Sequence, residues 1–294
     1  MLDPLRLRLL LEVDRLGSIT RAAEACSVGQ PTASTHLHRL EAAVGHRLFE
    51  RAGRGTRLTD AGHLLARHAT AVLSTLEALE EELAALGGAR SGVLRLAACD
   101  GFGTFVLPAV LAAFGRERPQ VEMHVGIAPS GGVLRAVAAG DAHLGIAGAT
   151  RRPGGVVAVP LMRDRLVWIA PRDLLDADTL SPAALAELPL VVPGPESSTR
   201  ALTERLLRRL AVRPAQMLEL DSIEAVKRAV RAGMGVAMVS RSTVADELEA
   251  GHLREIELLG AGFEERTIEI VRLEHRRPTP LEQAFEHALR VHCG

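Results

Sequence analysis

The apolar residues at the start of the chain are spaced as in three short helices. Leucines crowd residues 5–16, and Gly17 with Ser18 supplies a C-terminal glycine followed by a new N-cap. Residues 19–26 carry a face of small side chains, and residues 30–44 repeat apolar side chains at spacings of three and four. Two helices joined by a tight turn that contains glycine predict a helix-turn-helix.

A longer apolar repeat begins after residue 59. Its spacings alternate between four and three, which is the pattern of a coiled-coil seam. The members of this seam are Leu65, Ala69, Val72, Leu76, Leu79, Leu83 and Leu86. A helix that packs only on its own domain would show a wider apolar stripe, so the pattern predicts dimerisation. The glycine-rich segment 87–92 is predicted to end the helix as a flexible joint.

From residue 93 short apolar strands alternate with amphipathic helices. The predicted strands are 93–98, 121–127, 144–147, 165–170, 190–192, 217–220, 236–239 and 266–271. The predicted helices are 105–115, 133–139, 198–210, 223–232 and 280–291. This alternation predicts an α/β domain with a mainly parallel sheet.

Length and composition limit the class of protein. A chain of 294 residues with 47% hydrophobic and 24% charged residues predicts a globular protein of two or three domains. The longest apolar stretch, 105–114, is about half of a membrane span, and no secretory signal is recognised, so a cytoplasmic location and no membrane partner are expected. The lack of tyrosine and the single Trp168 disfavour binding of single-stranded nucleic acid.

Cysteine and histidine are candidates for special chemistry. Cys26, Cys99 and Cys293 lie far apart without CxxC spacing, so we expect reduced thiols, no metal site and no cofactor. Cys99 follows a predicted strand and is either a sensing thiol or a small buried apolar residue. His143 is either a ligating or pH-sensing group or a hydrogen-bonded structural histidine.

Polar side chains at the start of the third predicted helix have the chemistry of a surface that reads DNA. The N-terminal residues of the second helix in a helix-turn-helix face base edges in the major groove. Gln30 can bind adenine in bidentate fashion, and nearby hydroxyls can reach bases or phosphates. An ordinary solvated helix face is the alternative.

Positive charge is concentrated just after this helix. Residues 46–58 read as two extended pieces around a Gly-Arg-Gly turn, which predicts a β-hairpin wing. Residues 39–57 contain five arginines and two glutamates, a local net charge of +3 within a chain of net charge −1. The arginines therefore lie where a phosphate backbone would pass.

Together these segments resemble the DNA-binding domain of the LysR-type transcriptional regulators. The resemblance is carried by 17–24 (Gly-Ser-Ile-Thr-Arg-Ala-Ala-Glu), 30–34 (Gln-Pro-Thr-Ala-Ser), 39–41 (Arg-Leu-Glu), 45–51 (Gly-His-Arg-Leu-Phe-Glu-Arg) and 58–62 (Leu-Thr-Asp-Ala-Gly). Gly29 departs from the family's usual serine cap, and Thr35-His36 replaces a common arginine and glutamine. The last departure affects base readout.

The order of elements after residue 93 resembles the effector domain of the same family, which is similar to periplasmic binding proteins. The resemblance implies a winged helix-turn-helix at 1–60, a linker helix and hinge at 61–92, and an effector domain at 93–294, the last with subdomains 93–162 plus 266–292 and 163–265 joined by crossover strands.

The family resemblance also implies partners. We expect a homodimer or homotetramer that binds double-stranded promoter DNA, contacts RNA polymerase and responds to a small-molecule effector that changes the angle between subdomains or dimers. The candidate DNA-binding residues are Ser18, Thr20, Arg21, Gln30, Pro31, Thr32, Ser34, Thr35, His38, Arg51, Arg54, Thr56 and Arg57.

Effector contacts are expected at the carboxyl ends of strands and at helix N-termini, where free amides favour anions. The candidates are Asp100, Gly101, Thr104, Ser130, Gly148, Ser198, Thr199, Arg200 and Asp221. Arg200 is expected to fork onto an anionic group, unless it only faces solvent. Asp100 would repel an anion unless Arg200 or another cation pairs with it, so an effector that carries a hydroxyl or amine is the alternative.

Two other classes of protein are weighed against a regulator. An α/β enzyme would need a nucleophile with its base, a metal cluster or a phosphate loop, and GxxxxGKS/T, GxSxG and HExxH do not occur in the sequence. A solute-binding protein would need an export signal and would not need arginines on a wing. The sequence therefore favours a DNA-binding regulator that is not an enzyme.

Overall fold

The chain folds into two compact units in a computed structural model. The described residues are 2–53, 55–86, 92–174, 178–262, 264–274 and 276–293. Unit 1 comprises Met1–Ala89 with Leu273–Thr279, and unit 2 comprises Arg90–Arg272 with Pro280–Gly294. None of the described helices is long and apolar enough to cross a membrane.

Unit 1 contains the three predicted helices and the predicted hairpin. Its elements are α1 Pro4–Leu16, α2 Ile19–Ala25, α3 Gln30–Val44, β1 Phe49–Ala52, β2 Gly55–Leu58 and α4 Asp60–Leu86. Gly17 ends α1 at φ +64°, a backbone conformation that favours glycine, and the Ser18 hydroxyl caps α2 by accepting from the amide of Arg21. The sequence prediction of these elements is confirmed.

A leucine-rich core holds the helices of unit 1 together. Leu9, Leu10 and Val13 of α1 are fully buried, as is Leu40 of α3. The carboxylate of Glu41 accepts hydrogen bonds from the amides of Leu48 and Phe49 at 2.8 and 3.3 Å, which attaches the hairpin to the end of α3. The end of α3 and the start of the hairpin are therefore held together.

The predicted seam on α4 is divided between the core and solvent. Ala69 is buried and Leu65 is partly buried in the core of unit 1, so the prediction that they face a second helix is wrong for these two positions. The next seam residues are exposed, namely Val72, Leu76, Leu79 and Leu83. The side chain of Leu86 and the joint at 87–91 lie outside the described residues.

Unit 2 is an α/β fold. In chain order its elements are β3 Gly92–Cys99, α5 Asp100–Phe105, α6 Leu107–Glu117, β4 Val121–Ala128, α7 Ser130–Ala139, β5 Leu144–Gly148, β6 Val156–Pro171, β7 Thr179–Leu180, α8 Pro182–Glu187, β8 Pro189–Pro193, α9 Ser198–Arg209, β9 Gln216–Leu220, α10 Ile223–Arg231, β10 Ala237–Ser240, a 3-10 turn at Arg241–Thr243, α11 Ala245–Glu249, β11 Leu253–Leu258, β12 Glu264–Leu273 and α12 Pro280–Cys293.

The sheet of unit 2 is mixed rather than mainly parallel. Strands run in the order β4-β3-β5-β12-β6-β11-β7, with β10 also paired to β6, and β8 and β9 form a separate parallel pair. Strand β3 is parallel to β4 and β5, but β12 is antiparallel to β5. The antiparallel strands arise because β6 and β12 return between the two lobes of the unit.

Strands β6 and β12 lie at the centre of the large sheet. Apolar patterning predicted only 165–170 of β6, because Arg163, Asp164 and Arg165 interrupt its apolar run. One lobe is packed around Phe114 and Phe285, whose rings meet edge to face at 5.1 Å, and the other around Trp168. The two central strands therefore carry the polar residues that lie between these cores.

Candidate functional site

The first turn of α3 presents polar side chains to solvent. Gln30, Pro31, Thr32, Thr35 and His38 are exposed, and the N-cap Gly29 makes no side-chain capping bond. The amide nitrogen of Gln30 donates to the Ser34 hydroxyl at 3.1 Å. This bond orients the Gln30 amide and leaves one of its N–H groups and its carbonyl oxygen available for a base edge.

The candidates around α2 are partly engaged inside unit 1. Thr20 and Arg21 are exposed, whereas Ser18 is half-buried and its hydroxyl caps the helix. The guanidinium of Arg21 donates to the carbonyl of Leu16. These contacts hold the backbone around the start of α2. Ser18 therefore stabilises the fold through its capping bond, whether or not it also contacts DNA.

The wing is an antiparallel hairpin in which Glu50 pairs with Arg57 in register. The guanidinium of Arg57 donates to the Glu50 carboxylate at 2.6 Å, and the side chain of Arg51 is exposed. Thr56 is half-buried, and its amide donates to the carbonyl of Gly17 at 3.0 Å. Arg54, at the predicted tip, lies outside the described residues.

Unit 2 contains a small cavity between its two lobes, with a volume of about 40 Å³. Six of the predicted effector contacts line it: Asp100, Gly101, Ser130, Ser198, Thr199 and Asp221. The walls also include Cys99 and the start of α10. The structure thus brings strand ends and helix N-termini from both lobes to one place.

Two further candidates lie just behind the cavity wall. The amide of Gly148 donates to the Ser130 hydroxyl at 3.2 Å, and a Cβ at Gly148 would lie 2.1 Å from the Ser198 hydroxyl oxygen. Glycine is therefore required there for the close approach of the two lobes. The Thr104 hydroxyl donates to Asp100 at 3.3 Å and does not line the cavity.

The expectation that Arg200 forks onto a ligand disagrees with its placement. Its side chain is 14% exposed and donates to Glu204 at 2.6 Å and to Glu219 at 3.1 Å. It also donates to the carbonyl of Pro193, which ties α9 to β8 and β9. One residue beyond Thr199 on a helix points about 100° away, so Arg200 lies outside the cavity.

The cation of the cavity is Arg266, which sequence reasoning missed. Its side chain is 8% exposed; Nε donates to Asp164 at 2.7 Å, and Nη1 donates to the hydroxyls of Ser198 and Thr199 at 2.9 and 2.7 Å. Arg266 is on β12 and Asp164 on β6. The available signal was a charged residue directly before one predicted strand, Asp164, and another at the first position of the other, Arg266, since an unpaired charge is rarely buried.

Asp100 is already satisfied by the protein. Its carboxylate accepts from the amide of Ile223, at the N-terminus of α10, and from the Thr104 hydroxyl. A carboxylate is stabilised at the positive end of a helix dipole. The repulsion expected between Asp100 and an anionic ligand is therefore reduced, without the partnership of Arg200 that the sequence had indicated.

An ion pair spans the two lobes near the cavity. The guanidinium of Arg135, on α7, donates to both carboxylate oxygens of Glu196, with the second contact at 2.7 Å. The backbone carbonyl of Glu196 accepts from the amide of Gly131 at 3.1 Å. Both side chains are exposed, so this contact lies at the surface while the hydroxyls of Ser130 and Ser198 meet at 3.2 Å inside.

Cys99 and His143, the two candidates for special chemistry, are both buried. Cys99 packs in an apolar cluster, and burial raises the pKa of its thiol, so it is protonated at neutral pH. His143 is buried, with Nδ1 3.1 Å from Oε1 of the buried Glu282, and it does not line the cavity. Within the described part of the chain no cluster of three or more His, Cys, Asp or Glu has metal-binding geometry.

Family models match both parts of the chain. Residues 5–63 match the model described as bacterial regulatory helix-turn-helix protein, lysR family, and residues 87–294 match the LysR substrate binding domain. The two matches together cover nearly the whole sequence.

Individual proteins agree with the family models. The chain is 31% identical to the RuBisCO operon transcriptional regulator of Allochromatium vinosum, covering 98% of this chain and 97% of that protein. It is 30% identical to the probable RuBisCO transcriptional regulator of Nostoc sp. (strain PCC 7120 / SAG 25.82 / UTEX 2576), covering 98% and 87%. The fold is similar to the crystal structure of ArgP from Mycobacterium tuberculosis, with a TM-score of 0.78, 22% identity and coverage of 100% and 98%.

Proposed function

The chain belongs to the LysR family of bacterial transcription regulators, and on this premise we propose that it binds promoter DNA through α3 and the wing of unit 1 and a small-molecule effector in the cavity of unit 2. The observation that carries the DNA-binding part is the exposed polar start of α3 beside an exposed, arginine-bearing hairpin. Together they offer groups for base edges and for phosphates.

The exposed apolar row on α4 supports a dimer. Val72, Leu76, Leu79 and Leu83 follow one helical stripe and are exposed within unit 1. A second copy of the same helix would bury them in coiled-coil fashion. A two-fold dimer presents two recognition helices to two half-sites of DNA, and pairing of dimers into a tetramer extends the bound region.

The remaining parts of the proposal concern regulation. The effector acts because it binds one arrangement of the two lobes better than another, and the protein transmits this difference to DNA and to RNA polymerase. We place the protein in the cytoplasm, without a cofactor and without enzymatic activity. The lack of a nucleophile-base, phosphate-loop or zinc motif in the sequence supports the last point.

Selection of double-stranded DNA by the full-length protein tests the DNA-binding proposal. A bound sequence with two related half-sites is expected, with affinity that falls steeply as salt is raised. Failure to enrich any sequence, together with affinity that does not change with salt, would contradict the proposal.

Two matched threonines test the assignment of α3. The Thr35 hydroxyl donates to the carbonyl of Pro31 at 2.9 Å, and the Thr75 hydroxyl on α4 donates to that of Ala71 at 2.8 Å. Both side chains are exposed helix threonines, but only Thr35 lies on the proposed reading surface. Thr35→Ala and Gln30→Ala should reduce discrimination between the selected and a scrambled site in gel-shift titrations, whereas Thr75→Ala should not.

A further inference from the structure

The cavity of unit 2 is lined by hydroxyl groups that are buried and close together. Ser130, Ser198 and Thr199 are all buried, and they lie at the N-termini of α7 and α9. The N-cap of α9 makes no side-chain capping bond, so the first amides of this helix are available to a ligand, whereas at α7 the amide of Gly131 already donates to the carbonyl of Glu196. Arg266 reaches the same place from β12.

The hydrogen bonds of these groups leave donors without acceptors. Ser130 accepts from Gly148 and donates to Ser198, and Ser198 and Thr199 both accept from Nη1 of Arg266. A hydroxyl has one hydrogen to donate. Within the described ranges, the hydroxyl hydrogens of Ser198 and Thr199 and the Nη2 group of Arg266 have no acceptor at hydrogen-bond distance.

Two of the three carboxylates in or beside the cavity already accept hydrogen bonds from the protein. Asp164 accepts from Nε of Arg266 and from the Ser240 hydroxyl, and Asp100 accepts from the amide of Ile223 and from Thr104. Asp221 is exposed at the rim, where solvent screens its charge. Buried polar groups are nearly always paired, so these donors favour a ligand whose oxygen atoms accept hydrogen bonds from them.

The size of the cavity limits that ligand. A volume of about 40 Å³ holds roughly three water molecules, so the part of a ligand that enters the cavity has to be compact. A compact ion that carries oxygen on several sides fits both the volume and the arrangement of donors. A cationic or amine head group would instead leave Arg266 and the two hydroxyls unsatisfied.

We propose that the effector of this regulator has a compact oxyanion as its binding group, a small carboxylate or an inorganic oxyanion, and that Arg266, Ser198 and Thr199 select it. This inference rests on the proposed function of the cavity as the effector site. The charge of Arg266 is balanced by Asp164, and the remaining guanidinium N–H groups and the amides at the start of α9 supply the extra attraction for an anion.

Thermal unfolding of the full-length protein with matched probes tests the proposal. Acetate and acetamide have the same size and differ in charge, and nitrate and sulfate are inorganic oxyanions of different shape. At constant ionic strength set with sodium chloride, at least one of the three anions should raise Tm with saturation, and acetamide should not. A saturating rise in Tm with acetate would indicate a carboxylate effector, and one with nitrate or sulfate would indicate an inorganic oxyanion.

Variants of the cavity residues test where the anion binds. Ser198→Ala and Thr199→Ala should raise the half-saturating concentration at least tenfold, and Arg266→Gln should abolish saturation if it folds. Arg200→Gln is the control, because Arg200 lies on the same helix outside the cavity and should leave the half-saturating concentration unchanged. If Arg266→Gln does not fold, Ser198→Ala and Thr199→Ala still test the site.

Three outcomes would overturn the inference. These are a rise in Tm that grows linearly without saturation for every anion, an equal response to acetamide, and a saturating response that Ser198→Ala and Thr199→Ala leave unchanged. Binding of the selected DNA is measured in the same preparations. If the unaltered protein binds its selected DNA, any of these three outcomes contradicts only the oxyanion inference. If the unaltered protein does not bind DNA sequence-specifically, the proposed function itself is contradicted.

Discussion

Unit 1 and unit 2 keep their candidate functional side chains in opposite environments. Arg51 and the polar residues that begin α3 are exposed, whereas Arg266 is 8% exposed and its guanidinium contacts Asp164, Ser198 and Thr199. An exposed arginine acts through its charge and is screened by salt. A buried arginine acts through geometry and needs its charge balanced within the fold. The two units should therefore respond differently to the same kind of substitution.

The largest effect is expected where the buried pair of unit 2 is broken. Arg266→Gln leaves the carboxylate of Asp164 buried without its cation and should lower the free energy of unfolding by about 3–5 kcal/mol. Urea denaturation of the full-length protein measures the change. The double variant Asp164→Asn/Arg266→Gln removes both charges and should recover most of the loss. If the double variant is as unstable as the single one, charge balance is not what Arg266 provides.

The exposed row of unit 1 gives the next largest effect. Leu79→Ser removes a leucine that a dimer would bury, a loss of about 1.5–3 kcal/mol in association free energy. The dissociation constant of the dimer should therefore rise about tenfold or more, as measured by sedimentation at several concentrations. Leu64→Ser is the control, since Leu64 is also exposed but lies about 100° around α4 from the seam. An equal effect of both variants would argue against the seam.

Substitutions on the wing should cost less and should depend on salt. Arg51→Ala is expected to weaken binding to all DNA sequences alike and to reduce the slope of log affinity against log salt by about one. Arg57→Ala should have a smaller effect, because Glu50 already shares the charge of Arg57. Gel-shift titrations at several salt concentrations measure both slopes. A change in sequence preference rather than in slope would contradict the phosphate assignment.

The smallest effect is expected at the exposed ion pair of unit 2, which should behave like the charges of unit 1. The hydrogen bond from Arg135 lowers the pKa of Glu196. The stabilisation is therefore complete above the ordinary carboxyl pKa and is lost as pH falls through the lowered value. Arg135→Gln should make the acid decline of Tm slightly shallower. Arg163→Gln, which removes a looser exposed pair at 3.4 Å, is the control and should leave that decline unchanged. Identical acid profiles for Arg135→Gln and the unaltered protein would contradict the role of the pair.

Sequence reasoning succeeded where the signal was local. The ends of α1 and α3 were predicted because Gly17 and Pro31 act on the backbone within one helical turn. It failed on the first half of β6, where charged residues interrupt the apolar pattern, and on α4, where Leu65 and Ala69 pack in their own unit. The heptad spacing itself does not distinguish packing within a domain from packing on a partner, because both bury the same stripe.

The amino-acid sequence by itself determined the family, the reading helix, the wing and most strands of unit 2, since these depend on caps, turns and apolar spacing over a few residues. Only the tertiary structure decided which arginine enters the cavity. Arg200 follows two predicted site residues directly, yet helical geometry turns it towards Glu204 and Glu219. Arg266 meets Asp164 across a sequence separation of 102 residues, because two crossover strands lie side by side. Burial of a charge requires a partner, and only the fold determines which partner is near.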